Sequence, residues 1–312
     1  MTRVLVTGGA GYLGSILVPV LLDRGFAVTV VDNFMYRQDS LAAVCYRPEL
    51  SLIWGDVRSM ETMRPLFKEA DVIIALAALV GAPLCDRNPE AATSTNLRAI
   101  VDMLGHISRE QRVLLPVTNS GYGAGEAGKC CTEETPMRPV SLYARNKVEA
   151  EQVLLDRHPS AISFRLATVF GMSPRMRLDL LVNDFTYRAC TDRFIVLFES
   201  HFKRNYLHVR DVARAFLHGI DRFDTMKGQI YNVGLSNANL SKLELCHQIR
   251  KHVPTFTIYE SAIGQDPDKR DYIISNEKIE RTGYRPAFSL DDGIRELMKG
   301  FAMIRNTRYS NV

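Results

Sequence analysis

The sequence lacks the marks of several large classes of protein. Its six cysteines include no C-x-x-C pair and no Cys/His cluster with the spacing of metal ligands, so we predict free thiols in a reducing cytoplasm and no metal site. There is no run of five like charges and the formal net charge is only +4, which gives no indication of a nucleic-acid partner. No apolar stretch approaches the roughly 18 residues of a membrane span, and residues 4–6 are too short an apolar run for a signal peptide. We therefore expect a cytoplasmic protein that does not enter the membrane.

Short apolar runs and helical patterns alternate through the first half of the chain. The runs predict buried strands at about 4–6, 27–31, 52–54, 72–76 and 113–117. The patterns between them predict helices at about 11–24, 60–68 and 91–108. Such alternation is typical of a parallel sheet with helices on both faces, so we expect an α/β fold with a Rossmann-type, doubly wound parallel sheet.

Residues 7–14 (TGGAGYLG) follow the first predicted strand and open the first predicted helix. They match T-G-x-x-G-x-x-G at Gly8, Gly11 and Gly14. Glycines at these places let a pyrophosphate approach backbone N–H groups at the positive end of a helix, while the alternative is a tight strand-to-helix turn. Asp32 lies 18 residues after Gly14, at the end of the second strand, where it can accept hydrogen bonds from an adenosine ribose. The combination predicts a dinucleotide site.

The carboxylate of Asp32 also indicates whether NAD or NADP binds. Asp32 favours NAD, because a carboxylate repels the 2′-phosphate of NADP. Arg37 argues the other way, since its guanidinium could reach that phosphate. Asp56 and Val57, after the third strand, are candidate contacts of the adenine, and the alternative for Asp56 is a turn or helix-capping residue.

The second half of the chain is less regular. Helices are predicted at about 142–156, 178–190, 209–220, 242–251 and 291–303, with strands at about 162–167 and 195–198. We expect residues 1–170 to form the dinucleotide-binding domain, together with returning segments near 205–235. Residues 171–312 are expected to form most of a smaller, discontinuous α/β lobe that binds the substrate.

A second motif, Y-x-x-x-K at Tyr143 and Lys147, places a phenol and an ammonium on one face of a predicted helix. The ammonium favours the phenolate, so we expect Lys147 to lower the pKa of Tyr143 and make the tyrosine a general base. Thr118 lies 25 residues upstream, directly after a strand, where ligands bind in open parallel sheets. The three groups suit alcohol oxidation, in which a proton leaves the hydroxyl and a hydride goes to nicotinamide. Because the pattern alone is common, the alternative is an exposed helix face with an incidental tyrosine.

Together these residues resemble the extended short-chain dehydrogenase/reductase family, which includes nucleotide-sugar epimerases and dehydratases. The likeness covers nearly the whole chain. It includes residues 7–14, Asp32-Asn33, Gly55-Asp56, Leu76-Ala77-Ala78, Thr118, Tyr122-Gly123, Tyr143 with Lys147, Phe164-Arg165-Leu166, Phe170-Gly171 and residues 205–213 (NYLHVRDVA).

The resemblance implies a role for each matching residue. The implied catalytic residues are Thr118, Tyr143 and Lys147. The implied contacts of NAD are Gly8, Gly11, Tyr12, Leu13, Asp32, Asn33, Asp56, Val57, Leu76, Ala77, Ala78, Tyr143 and Lys147. The implied contacts of the substrate are Ser120, Thr168, Asn183, Arg204 and Arg270, with Arg175 and Arg177 as further candidates. Guanidiniums suit this task because they bind phosphate in a bidentate way, while the alternative for Arg175 and Arg177 is a solvated surface charge.

One departure and one closer likeness narrow the expected reaction. The 4,6-dehydratases of the family carry an Asp-Glu pair after the threonine, whereas this chain has Asn119 and Ser120, which cannot act as an acid–base pair at neutral pH. Residues 76–85, 118–123, 173–189 and 266–272 resemble the GDP-manno-heptose 4-dehydrogenases of the family. We expect NAD-dependent oxidation at C4 of a nucleotide-linked sugar. The alternatives are a 4-epimerase that passes through a transient 4-keto sugar, a 4,6-dehydratase, and a non-catalytic NAD-binding sensor.

The resemblance also implies partners. These are a nucleotide sugar, with GDP favoured as its nucleotide, a small 2-oxoacid as hydride acceptor, and a second copy of the chain. The expected homodimer interface is formed by helices near 96–108 and 142–156. Leu97, Ile100, Val101 and Leu104 have the spacing of an apolar stripe, and the alternative is that this stripe faces the sheet.

Overall fold

The computed structural model describes residues 1–125, 129–264 and 270–304. Within them the strands are β1 (Arg3–Thr7), β2 (Ala27–Asp32), β3 (Leu50–Trp54), β4 (Val72–Ala75), β5 (Arg112–Thr118), β6 (Cys130–Cys131), β7 (Ala161–Leu166), β8 (Thr168–Phe170), β9 (Phe194–Leu197), β10 (Lys203–His208), β11 (Gln229–Val233), β12 (Asn239–Ser241), β13 (Thr257–Glu260) and β14 (Ile273–Ile274).

The helices alternate with these strands through the first half of the chain. They are α1 (Gly14–Asp23), α2 (Met60–Glu69), α3 (Ala82–Arg87), α4 (Pro89–Thr93), α5 (Ala99–Leu104), α6 (Leu142–Arg157), α7 (Leu181–Thr191), α8 (Val209–Asp221), α9 (Phe223–Met226), α10 (Lys242–His252), α11 (Glu277–Arg281) and α12 (Leu290–Phe301). A π-helical turn (Ser94–Arg98) joins α4 to α5, and short 3-10 turns lie at Ala42–Val44 and Asn119–Tyr122.

Seven strands form one parallel sheet in the order β11-β7-β5-β4-β1-β2-β3. The chain starts at β1, moves outward through β2 and β3, and returns to the other side of β1 with β4. This reversal creates a crevice at the carboxyl ends of β1 and β4, where ligands bind in such sheets. The predicted Rossmann-type α/β fold is confirmed.

Apolar cores cover both faces of this sheet. Successive residues of a strand point to opposite faces, so Val4 and Val6 join the core that contains α1 and α8, while Leu5 joins the core that contains α2, α5 and α6. The ends of the strands are thereby held in register on a rigid base.

The second half of the chain contributes to the large sheet and to small ones. β11 lies beside β7 at one edge of the large sheet. β12, β10 and β8 form a second sheet, β13 pairs with β9, and β14 pairs with β6. α7 packs against α10 and α12. The division into two domains near residue 170 stays a prediction.

Three expectations about local structure were wrong. Residues 52–54 are not buried, because β3 is an edge strand and Leu52 and Trp54 are 44% and 80% exposed. The helix expected at 91–108 is interrupted by the π-helical turn and ends at Leu104. The helix expected from residue 11 begins at Gly14, since residues 8–13 form a loop.

The apolar stripe proposed for a dimer interface mostly faces inward. Leu97, Ile100 and Leu104 pack against the core on one face of the sheet. The contacts of these three residues therefore favour the alternative, and the homodimer stays a prediction.

The described ranges lack two features, a membrane-spanning helix and a cluster of metal-binding side chains. Among those residues, no helix is both long and apolar enough to cross a bilayer. The same residues contain no group of three or more Cys, His, Asp or Glu side chains that could hold a metal ion.

Candidate active site

The glycine-rich loop (residues 8–13) packs tightly against the segment that follows β4. Gly8 has a φ of +68°, and a Cβ there would lie 2.8 Å from the backbone of Ala77. A Cβ at Gly14 would lie 2.5 Å from the carbonyl oxygen of Gly9. Glycine is therefore required at both ends of the loop by geometry alone.

The same loop presents N–H groups at the start of α1. The first turn of this helix has no acidic side chain and no side-chain cap. Among the described residues, the backbone N–H groups of Tyr12 and Leu13 have no hydrogen-bond partner. Unpaired donors at a helix N-terminus suit a pyrophosphate, so the loop fits the dinucleotide that the sequence predicts.

Asp32 lies beside this loop, at the end of β2. Its carboxylate is buried and accepts hydrogen bonds from the N–H groups of Ala10 (3.0 Å) and Phe34 (2.8 Å). Burial raises the pKa of Asp32, and these two hydrogen bonds oppose that shift. Asn33 is exposed next to it. The position of Asp32 fits the predicted ribose contact.

Asp56 is held in a turn after β3. Its carboxylate accepts from the N–H of Arg58 (2.9 Å) and pairs with the Arg58 guanidinium (2.6 Å), which lowers the pKa of Asp56. This arrangement supports the alternative that Asp56 is a turn residue. Val57 packs against the core of the sheet. Their contacts with adenine stay predictions.

The segment from Leu76 to Leu79 is fixed from two sides. The N–H of Leu76 donates to the carbonyl of Thr7 (3.1 Å), and the N–H of Ala77 donates to the hydroxyl of Thr7 (3.3 Å). Asn96, in the π-helical turn, bonds to both the N–H and the carbonyl of Leu79 (2.8 Å each). Sequence reasoning missed Asn96, because an asparagine within a helical pattern carries no signal that it will be buried.

Three predicted site residues meet at the carboxyl end of β5. The hydroxyl of Thr118 donates to the hydroxyl of Ser120 (2.9 Å), and the N–H of Ser120 donates back to Thr118 (3.1 Å). The guanidinium of Arg270 donates to the same Ser120 hydroxyl. A predicted catalytic residue is thus joined to two predicted substrate contacts.

Tyr143 lies in the first turn of α6, which is capped by the Ser141 hydroxyl. The ring packs on a small cluster that contains Leu79 and Cys85, and it is half-buried. Burial raises the pKa of Tyr143 to about 12. The expectation of a lowered pKa was therefore wrong: the loss of solvent outweighs the charges, and the cations that lower the pKa are Arg177 and Arg270, not Lys147.

Lys147 lies one turn further along α6 and is 3% exposed. Burial lowers its pKa to about 8, opposed by the charge of Glu151. Glu151 forms a buried ion pair with Arg165 of β7 (2.7 Å) and accepts a hydrogen bond from Ser163. This pair ties α6 to the sheet and so positions both Tyr143 and Lys147. Sequence reasoning quoted Arg165 only as part of a motif, and it missed Glu151.

Asn183 holds the segment that carries the two candidate arginines. Its amide oxygen accepts from the N–H of Gly171 (3.0 Å), and its amide nitrogen donates to the Tyr12 hydroxyl (3.2 Å) and to the carbonyl of Arg177 (2.9 Å). The Tyr12 hydroxyl in turn donates to the carbonyl of Gly171 (2.7 Å). Asn183 is fully buried and already bonded at both amide atoms, so a contact with the substrate stays a prediction.

Neither candidate arginine is a solvated surface charge. Arg175 is 4% exposed, and its guanidinium stacks 4.0 Å from the centre of the Tyr36 ring. The charge of Arg175 also lowers the pKa of Asp32. This position lies on the Asp32 side of the site and does not support its predicted contact with the substrate. Arg177 pairs with Asp179 (2.6 Å) and acts on the phenol of Tyr143.

Two other predicted substrate contacts, Thr168 and Arg204, lie on the sheet formed by β12, β10 and β8. Thr168 begins β8 and pairs with Tyr206 of β10. Arg204 is buried on β10, 5.5 Å above the ring of Tyr272, and donates to the carbonyl of Arg270. Arg204, Arg270 and Ser120 therefore form one connected group.

Known proteins share this fold and up to 29% of this sequence. Residues 4–234 match the model of the NAD dependent epimerase/dehydratase family. UDP-glucuronic acid decarboxylase 1 of Arabidopsis thaliana is 29% identical over 314 residues, which cover 96% of this chain and 69% of that protein. The structure of Thermus thermophilus UDP-glucose 4-epimerase complexed with NAD is 25% identical, with a TM-score of 0.79 over 96% of this chain and 99% of that one. The Bacillus cereus UDP-glucuronic acid 4-epimerase, in complex with UDP-glucuronic acid and NAD, has the same fold at 20% identity, with a TM-score of 0.85 over 97% and 100% of the chains.

Proposed function

The chain belongs to the NAD-dependent epimerase/dehydratase family, and from that membership we propose that it oxidises the C4 hydroxyl of a nucleotide-linked sugar. The observation that supports the proposal is the hydrogen-bonded group of Thr118, Ser120 and Arg270 at the carboxyl end of β5, whose Arg270 also lowers the pKa of the Tyr143 phenol. Hydroxyls, a phenol and a guanidinium suit the removal of a proton from an alcohol that is bound through phosphates.

In the proposed reaction Tyr143 takes the proton of the C4 hydroxyl. The C4–H bond breaks as the C4–O bond becomes a carbonyl, and NAD supplies the hydride acceptor when it is bound. The Thr118 hydroxyl orients the sugar oxygen toward the phenol. Arg204 and Arg270 hold the diphosphate. Binding energy from this remote part of the substrate then holds the reacting carbon in place.

The electrostatics of Tyr143 limit how it can act as a base. A phenol with a pKa of about 12 holds its proton at neutral pH, even though the charges of Arg177 and Arg270 already lower that pKa. Tyr143 must therefore give up its own proton before it can take one from the sugar. Lys147, with a pKa of about 8, can exchange a proton near neutral pH. We propose that it carries the proton onward and also binds the ribose.

Dehydration is disfavoured by the residues after Thr118. Asn119 is 1% exposed, and its amide has no hydrogen-bond partner among the described residues. Ser120 is bound to Thr118 and Arg270. No carboxylate in the described part of the chain acts on the phenol of Tyr143. An amide and a hydroxyl cannot perform acid–base chemistry at C5 and C6 at neutral pH.

Within this family we propose a GDP-manno-heptose-like 4-dehydrogenase that passes its hydride to a small 2-oxoacid. The support is the likeness of residues 76–85, 118–123 and 173–189; residues 266–269 of the fourth stretch lie outside the described residues. A 4-epimerase is the second candidate, because it begins with the same oxidation and differs only in reducing the ketone on its other face. We also propose a homodimer, which light scattering would test.

Product analysis by mass separates these functions. The protein is incubated with NAD, 2-oxoglutarate and a panel that contains GDP-manno-heptose, GDP-mannose, UDP-glucose and UDP-glucuronate. A dehydrogenase gives a sugar that has lost two hydrogens, an epimerase gives an isomer of equal mass, and a dehydratase gives loss of water. We expect the first result with a GDP-linked sugar.

Tyr143→Phe is the matched control, since it removes one oxygen and keeps the ring. It should bind NAD and nucleotide sugars yet lose nearly all turnover. Binding without turnover in both forms would identify a sensor and refute the proposed oxidation, as would equal turnover in both forms.

A further inference from the structure

A side-chain stack joins two segments that lie far apart in the chain. The guanidinium carbon of Arg175 lies 4.0 Å from the centre of the Tyr36 ring. Arg175 is buried and Tyr36 is half-buried. A cation on an aromatic face is held more strongly when both groups are shielded from water, so this contact can hold the two segments together.

The loop that carries Tyr36 is anchored to Asp32. The Asp32 carboxylate accepts hydrogen bonds from the N–H of Phe34 (2.8 Å) and from the side-chain amide of Gln38 (3.4 Å), which lie on either side of Tyr36 in the chain. The same carboxylate accepts from the N–H of Ala10 in the glycine-rich loop (3.0 Å). Tyr36 is thereby held near both the carboxylate that fits the ribose and the loop that fits the pyrophosphate.

The segment that carries Arg175 is anchored to the same glycine-rich loop and to α1. The hydroxyl of Ser173, two residues before Arg175, donates to the carbonyl of Tyr12 (2.7 Å). It also bonds to the hydroxyl of Ser15 in the first turn of α1 (2.9 Å). The contacts therefore form a closed ring, which runs from the glycine-rich loop along this segment to the stack, and back to the loop through Asp32.

The backbone around Tyr36 is held in a strained form that turns the ring inward. Phe34 and Arg37 have left-handed φ values of +48° and +52°, and the N–H of Arg37 donates to the carbonyl of Phe34 (2.8 Å). Tyr36 is half-buried, whereas Met35 and Arg37 on either side of it are exposed. Bulky residues keep such a conformation only where other contacts enforce it, and segments that clamp a ligand are among the places where this occurs.

The groups that suit the dinucleotide lie on the ring of contacts. The family's cofactor is NAD. The N–H groups of Tyr12 and Leu13, which lack a partner among the described residues, suit its pyrophosphate, and Asp32 suits its adenosine ribose. A dinucleotide held by these groups is bordered on its outer side by the stack of Tyr36 and Arg175.

We propose that the Tyr36–Arg175 stack is a clasp, which closes over the adenosine ribose and pyrophosphate of bound NAD and slows its release. Arg175 then serves the cofactor and not the nucleotide sugar, to which the sequence had assigned it. Because the stack joins two separately anchored segments, breaking it from either side should open the same exit. The inference goes beyond the proposed function and holds whichever sugar is oxidised.

The rate at which NADH leaves the protein tests the clasp. The complex with NADH is mixed with excess NAD in a stopped-flow instrument, and the fluorescence of NADH reports its release. Tyr36→Ala and Arg175→Gln each remove the stack and should speed release about tenfold. The double variant should release NADH at about the rate of either single variant, because the two side chains act as one unit.

Matched controls separate the stack from other effects of the substitutions. Tyr36→Phe keeps the ring and should release NADH at the parent rate. Arg37→Gln changes an exposed arginine of the same loop, and Tyr46→Ala removes a tyrosine that is 76% exposed; both should also keep the parent rate. Melting temperatures measured without cofactor show which variants fold. Tyr36→Leu and Arg175→Met, which keep apolar bulk, replace any of the two main variants that does not.

Each outcome either supports the inference or overturns it. Release at the parent rate after loss of either partner, or additive effects in the double variant, would overturn it. So would Tyr36→Phe releasing NADH as fast as Tyr36→Ala. Binding of GDP and UDP is measured by calorimetry with NAD present. Weaker nucleotide binding in Arg175→Gln, together with unchanged release of NADH, would return Arg175 to the substrate and refute the clasp.

Discussion

Replacing Lys147 with methionine should abolish most activity and yet make the protein more stable at pH 7. The lysine is buried, and its pKa is lowered from 10.5 to about 8. A difference of about 2.5 pKa units corresponds to about 3 kcal/mol at 1.36 kcal/mol per unit. Methionine is unbranched and of similar length, so it keeps the packing without the buried charge. Glu151 keeps its ion pair with Arg165, and no new unpaired charge is left behind.

The sign of the effect follows from linkage. The folded state disfavours the protonated lysine, so the cost to stability is fully present below pH 8, where the amine is charged in both states. The cost falls as pH rises from 8 to 10.5, because the folded state loses its proton first. It is absent once both states are neutral. Lys147→Met should therefore melt about 6 °C above the parent at pH 7, at roughly 2 °C per kcal/mol, and the gap should close toward pH 10.5.

Thermal unfolding of both forms across this pH range is the assay. Lys299→Met serves as the control, since Lys299 is exposed on α12 and its replacement should leave the melting temperature nearly unchanged. A lower melting temperature for Lys147→Met at pH 7 would refute the argument. So would a gap that stays constant as the pH rises, because the cost would then not come from the buried charge.

Three further predictions concern charge and packing. Arg270→Gln removes a cation that lowers the pKa of Tyr143, so the rising limb of the pH–rate profile should move to higher pH; an unmoved or lowered limb would contradict that role. Glu151→Gln leaves Arg165 charged and without its counter-ion in the interior. The free energy of unfolding, measured in urea, should fall by about 3–5 kcal/mol. A fall below about 1 kcal/mol would mean that water reaches the pair. Gly8→Ala forces a Cβ against the backbone after β4, so NAD affinity measured by fluorescence titration should fall at least about tenfold, and unchanged affinity would show that the loop can relax.

The features that the sequence predicted correctly depend on neighbours in the chain. The glycine-rich loop, Asp32 at the end of β2 and the Tyr143–Lys147 spacing on α6 each follow from a few adjacent residues and one type of secondary structure. Thr118 was placed because parallel strands end at a common edge. Each of these inferences needs only local geometry and the direction of a strand.

The features that could not be predicted depend on what packs against a residue from elsewhere. The shift in the pKa of Tyr143 was given the wrong sign, because burial, which needs the whole fold, raises this pKa, and the cations that oppose the rise are Arg177 and Arg270. β3 was expected to be buried because its composition is apolar, yet the strand order places it at the edge. Glu151 and Asn96 carry no motif, and their importance comes only from the partners that they meet.

Tyr12 joins the segments that carry two predicted sites. Its backbone lies in the glycine-rich loop, but its hydroxyl bonds to Gly171 and Asn183, and Ser15 of α1 bonds to Ser173 (2.9 Å). The loop that fits the cofactor and the segment that carries Arg177 are therefore joined by buried hydrogen bonds, which hold each other in place in a medium of low dielectric. Hydride transfer requires two bound molecules to meet with little freedom. A direct connection between the segments that are predicted to bind them would provide that constraint.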